Sequence, residues 1–98
     1  MDKTFTISSA HPSLAGHFPG NPVVPGAVIL DEVINIIKSI KPGLTVTAIP
    51  SVKFVHPLLS EQTVTVKINE KNETTISFIC SYRDLKLVTG QLTLKSLS

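Results

Sequence analysis

The chain has one cysteine, Cys80, no tryptophan and five aromatic residues among its 98 positions. A lone cysteine excludes an internal disulfide and any cysteine-based zinc site, and its default setting is a reducing compartment. Charge is also sparse. Charged residues make up 16% of the chain, and its nine Lys and Arg against seven Asp and Glu leave a net +2. The cations stand singly, never in a run, and the aromatics are few, so a dedicated nucleic-acid binder is not expected. The longest apolar stretch, Val23 to Leu30, is broken by Pro25 and Gly26. It is too short to span a bilayer. Met1 to Ser9 is polar and alternating, without the apolar core of a signal peptide. A cytoplasmic protein with no membrane partner is the expectation.

Apolar residues make up 42% of the chain. That is too apolar for disorder, so a packed fold is expected. The length suits one domain over residues 1–98, burying about two-thirds of its unfolded surface. No repeat or linker interrupts it. Prolines and glycines gather between Pro12 and Pro25, marking a long ordered loop.

Thr4 to Ser8 reads as a short strand with Phe5 and Ile7 on one face. Pro25 opens a helix, where its missing N–H costs nothing. Ala27, Val28, Ile29, Leu30, Val33, Ile34, Ile36, Ile37 and Ile40 then cover most of the circumference, which predicts a helix buried on nearly all sides. Pro42-Gly43 stops it. After Gly43 the pattern is strand throughout. Thr45 to Val55 is β-branched, with Pro50 marking an edge or a bulge. Thr63 to Ile68 and Thr74 to Tyr82 alternate. Leu85 to Leu94 changes parity near Gly90, predicting a bulge there. The result is an α+β fold in which one long central helix is wrapped by a curved antiparallel sheet. One sheet covers only part of an all-apolar helix, so a second copy is expected to cover the rest.

Gly16 to Gly26 carries the most chemistry. It holds His17 in a loop stiffened by Pro19, Pro22 and Pro25, and rigid placement of a titratable group suits acid–base work. The Gly26 N–H begins the helix without an intrahelical partner, and the helix dipole adds positive potential. A glycine there lets a ligand oxygen approach the backbone, a natural place for a polarised carbonyl. Asp31, among Val28, Ile29, Leu30 and Ile34, is expected in an apolar wall, where the protonated acid is favoured. The plain reading of these residues stands beside this one. A loop histidine is usually solvated, Asp31, Asn35 and Lys38 form a polar stripe, and Glu32 serves as the acid equally well on spacing. His11 and His56 each precede a proline, and the histidine spacing fits no standard metal pattern. Both read as structural or solvated. Cys80 alternates with Ile76 and Phe78 as a small buried hydrophobe.

His17-Phe18-Pro19-Gly20-x-Pro22-x-x-Pro25-Gly26 resembles the signature of the hot-dog-fold 3-hydroxyacyl-acyl carrier protein dehydratases at every fixed position. The family's helix acid falls fourteen positions after the histidine, on Asp31. Asn35 stands where the family often has glutamine. Lys53-Phe54-x-x-Pro57 resembles the family's strand after the helix. The likeness covers roughly residues 11–95. The chain departs from it in being short, in having Ser60-Glu61-Gln62 where many members have Pro-Gly-Asp, and in an aspartate typical of the dehydratase-isomerase branch. Short relatives occur in bacterial clusters for aryl-polyene and similar lipids.

The resemblance implies dehydration of a 3-hydroxyacyl thioester to the trans-2-enoyl thioester. In that scheme His17 is the base, Asp31 the acid and Gly26 N–H the oxyanion donor, and the acyl chain lies near Val28, Ile29 and Val33. It implies no metal or cofactor. Its partners are an acyl carrier protein and a homodimer or higher homo-oligomer with sites at the subunit interface. A hot-dog thioesterase, or a non-catalytic subunit that binds carrier protein or a longer catalytic relative, would use the same scaffold.

Overall fold

The computed structural model describes residues 2–11 and 23–96. The order is β1 (Asp2–Thr6), α1 (Gly26–Ile40), β2 (Leu44–Phe54), β3 (Thr63–Glu70), β4 (Thr75–Tyr82) and β5 (Leu85–Ser96). The strands form one antiparallel sheet in the order β1-β3-β4-β5-β2.

Strand alternation sets the core. Val64, Val66 and Ile68 of β3 stand opposite Cys80 and Phe78 of β4 and Phe5 of β1 on the same sheet face. All are buried, together with Ile76, Val88, Leu92 and Leu94. Their outward neighbours are Thr, Ser, Lys and Asn for the most part. A one-residue slip would send this apolar set into water, so the pattern pins the register.

β5 departs from strict alternation. Leu87 and Val88 are both buried, and the β4–β5 register shifts between Cys80 and Ser81, opposite Leu87. The bulge predicted near Gly90 therefore sits three residues earlier. Gly90 keeps its register and instead serves close packing: a Cβ there would stand 2.8 Å from the Ser51 carbonyl oxygen and 2.9 Å from the Phe78 ring. Pro50 behaves as the sequence predicts. β2 is an edge strand, and its pairing with β5 shifts between Ala48 and Ser51.

α1 lies on the core face of the sheet and buries Val28, Ile29, Val33 and Ile37. Burying each such side chain contributes about 1.5–3 kcal/mol. The Lys41 N–H donates to Ile37 O at 2.8 Å, and Pro42 then ends the helix. Lys41 also pairs with Glu70, tying this helix end to the end of β3. The helix is less covered than its composition predicts. Ala27, Asp31, Asn35 and Lys38 are exposed, and Leu30, Ile34 and Ile36 are half-buried. One chain's sheet shields one side of the helix and leaves the other open. β2 is open as well: every residue from Thr47 to Phe54 is exposed, including Ile49, Val52 and Phe54. Among the described residues no helix is long and apolar enough to cross a membrane.

Candidate active site

Pro25 stands at the helix N-cap with φ −60° and ψ 144° and offers no side-chain cap. Its carbonyl accepts from Val28 N–H at 3.0 Å and more weakly from Ile29 N–H at 3.4 Å. The N–H groups of Gly26 and Ala27 donate to none of the described residues. These are the unsatisfied donors that a helix start leaves, and they carry its positive end.

The preceding segment is fastened in place. Val24 N–H donates to Leu58 O at 2.8 Å, and Val23 bridges to Leu59. The segment after β2 is held from the other side: Val55 N–H and His56 N–H both donate to Leu87 O, at 2.7 and 3.2 Å. Between these two fastened segments lies a cleft of about 370 Å³, lined by Val23, Gly26, Ile29, Phe54, His56 and Leu58 among others. Its walls are apolar. Its polar features are the opening of the helix and the His56 imidazole, whose Nδ1 lies 3.1 Å from Pro57 O. Such a cleft offers apolar walls beside backbone donors that have no acceptor among the described residues, a setting that suits an apolar group carrying a polarised oxygen.

The site residues named from sequence fall in different places. Gly26 and Ile29 line the cleft. Val28 and Val33 are buried between helix and sheet and do not line it. Asp31, expected in an apolar wall, is exposed. Five residues at about 100° each carry it about 140° round the helix from Gly26, onto the side the sheet leaves open. His17 lies outside the described residues. His56, read as structural or solvated, is exposed yet lines the cleft beside Gly26. Phe54 was given no role, and its ring lies against Gly26. The signal for Phe54 was present, since Phe54 and Pro57 are fixed positions of the Lys53-Phe54-x-x-Pro57 motif and line this cleft, whereas His56 fills one of its unspecified positions.

Cys80 is buried in the sheet core, and desolvation pushes its thiol up to about 12. It is a packing residue, unsuited to nucleophilic work at neutral pH.

A helix over a curved antiparallel sheet in this strand order is the hot-dog fold, and solved structures of that fold superpose on nearly the whole chain. The dehydratase heterocomplex ApeI:P from Xenorhabdus doucetiae matches with a TM-score of 0.81 and 26% identity, over 95% of this chain and 84% of that one. An uncharacterized protein from Erwinia carotovora subsp. atroseptica matches with a TM-score of 0.79 and 22% identity, over 98% and 82%. A probable thioesterase from Bartonella henselae shares the fold at 0.71 and 18% identity, over 99% and 90%. No curated protein sequence matches the chain. The family model described as ApeI-like, ApeI dehydratase, matches residues 1–91. The chain belongs to this ApeI-like dehydratase family.

Proposed function

We propose that the chain dehydrates a 3-hydroxyacyl thioester, carried on an acyl carrier protein, to the trans-2-enoyl thioester in fatty-acid or polyene-type lipid synthesis. The observation that carries this reading is the helix start at an apolar cleft, where Gly26 lines the cleft and the N–H groups of Gly26 and Ala27 have no acceptor among the described residues, in a member of a dehydratase family. In this scheme His17 removes the α-proton, and the electron pair moves onto the thioester oxygen. The Gly26 N–H stabilises that enolate-like oxygen. The enolate then collapses, forming the α,β double bond and expelling the β-hydroxyl, which Asp31 protonates to water. The elimination is redox-neutral.

Asp31 and Gly26 stand on different sides of α1, so the two groups do not meet across one chain's cleft. We infer that the site is completed in a dimer, with base and acid from different copies. The open helix face and the unpaired, partly apolar β2 edge support that reading. The same edge also supports a second reading: the neighbour from Xenorhabdus is a heterocomplex, and β2 would serve equally to pair this chain with a different hot-dog subunit.

Hydration of crotonyl thioester, followed by loss of enoyl absorbance, tests the proposal by running the reaction in reverse. Wild type should turn over. His17→Ala and Asp31→Asn should each lose about 10²–10⁴-fold, the usual contribution of a general acid or base. Free thiol released from an acyl thioester would instead identify a thioesterase. Inactivity alone, with activity appearing on addition of a second hot-dog subunit, would establish the heteromeric reading.

A further inference from the structure

The modest net charge of the chain conceals a strong segregation. Lys53, Lys67, Lys86 and Lys95 all occupy outward positions of the sheet, opposite Thr89, Asp2, Ser81 and Thr45 respectively. Among the strands, Asp2 is the acid on that face. The remaining acids lie on the helix (Asp31, Glu32), in connections (Glu61, Glu73, Asp84) or paired with Lys41 at the helix end (Glu70).

Three lysines gather around one groove on this outward face. Lys53, Lys71 and Lys86 rim a depression of about 450 Å³ that crosses β2, β5 and β4 over the short polar side chains of Ser77, Thr89 and Gln91. No aspartate or glutamate lines it. All three lysines are exposed, and among the described residues none of their ammonium groups has an ion pair or a hydrogen bond. A solvated sheet face ordinarily mixes charge of both signs. Here the lining itself carries cations and no acid, with Glu73 and Asp84 in the adjoining turns, over a floor that includes neutral hydroxyl and amide groups.

We propose that this groove docks an acidic segment of a partner protein, lying across β2, β5 and β4 with its carboxylates on Lys53, Lys71 and Lys86. The placement of the three lysines on separate elements favours such a partner over a small anion. β2 and β4 lie two strand spacings apart, about 10 Å, and Lys71 stands beyond them in the β3–β4 turn. With Lys53 on β2, Lys86 on β5 and Lys71 in the β3–β4 turn, a segment with several spaced carboxylates matches the spread of charge better than one phosphate does. The groove is open and shallow, as suits a macromolecular contact steered by charge. It lies on the sheet face opposite α1, so it remains whole whether or not the catalytic proposal holds.

The test uses the full chain and a synthetic glutamate-rich peptide, with its glutamine counterpart and inorganic phosphate as comparison probes. Amide shifts on titration should cluster at Ser77, Thr89 and Gln91 with the acidic peptide and be absent with the glutamine peptide. The double variant K53Q/K86Q should weaken binding roughly fivefold. The charge-matched double variant K3Q/K38Q, altered away from the groove, should change it less than about twofold. Equal weakening by both double variants would reduce the effect to net charge and overturn the proposal. So would shifts scattered over the surface, absence of binding, or phosphate reproducing the peptide's shifts at the same concentration.

Discussion

The ring of Phe54 occupies the space that a side chain on Gly26 would need. A Cβ at position 26 would lie 2.7 Å from Phe54 Cζ and 2.8 Å from Cε1. The sequence offers a simple reason for glycine at the helix start, close approach by a ligand. The structure supplies another: an aromatic ring from β2 rests on the first turn of α1. Gly26→Ala should push this half-exposed ring outward and destabilise the fold by about 1 kcal/mol, the low end of the usual cost of overpacking, because the ring can yield toward solvent. In a Phe54→Ala background the same change should cost little. A double-mutant cycle by chemical denaturation measures the coupling, and a coupling near zero would show that the two residues do not constrain each other.

Gly90 presents a harder obstacle, because one of its neighbours is backbone. The Ser51 carbonyl oxygen, 2.8 Å from the position of a Cβ, belongs to the paired strand and cannot turn aside. Gly90→Ala should therefore lower stability by about 3 kcal/mol, and trimming the ring beneath it with Phe78→Leu should not restore the loss. A shift in urea midpoint at unchanged slope reads the effect.

Ser60 is buried at 2% exposure, and its Oγ has no hydrogen-bond partner among the described residues. A desolvated hydroxyl without a partner is a standing cost. Ser60→Ala should raise stability by about 1 kcal/mol. Thermal melting would show it directly, and a lower midpoint in the alanine variant would mean that the hydroxyl has a partner after all.

Burial of Cys80 makes stability depend on alkaline pH. Its thiol rises from 9.0 to about 12 in the folded chain. Below about pH 9 both folded and unfolded states hold the proton, and the residue adds no slope. Between about 9 and 12 the unfolded chain ionises while the folded chain does not, so stability should fall by about 1.4 kcal/mol per pH unit. Cys80→Ala should be less stable at neutral pH but lack this component of the alkaline slope. Identical slopes for the two proteins between pH 9 and 11 would contradict it.

Much of the fold was legible because alternation and punctuation act locally. Val64-x-Val66-x-Ile68 and Ile76-x-Phe78-x-Cys80 place their own strands, and Pro25 and Pro42 bracket the helix without reference to distant residues. Two features were not legible in that way. The parity change in β5 has two possible centres on sequence alone, and the glycine drew attention, whereas packing put the extra residue at Leu87. The helix is apolar nearly all round, yet how much of it is covered depends on how far one sheet reaches, which is a tertiary quantity. The same limit applies to the site. Gly26 and Ile29 could be read from their place at a helix start, and the surroundings of Asp31 could not, because they are set by what lies against the open side of α1. His56 was set aside as an isolated histidine. Its place beside Gly26 follows from strand pairing, which joins residues thirty apart.

The Leu87 carbonyl accepts from two successive amides, Val55 and His56. The extra residue in β5 therefore sets the height at which the chain leaves β2 and enters the cleft. For anyone grafting or shortening this scaffold, β5 is a ruler as well as a wall. Deleting Leu87 would restore simple alternation to the strand, but the error would pass to the neighbouring segment, as a cleft whose rim no longer meets the start of the helix.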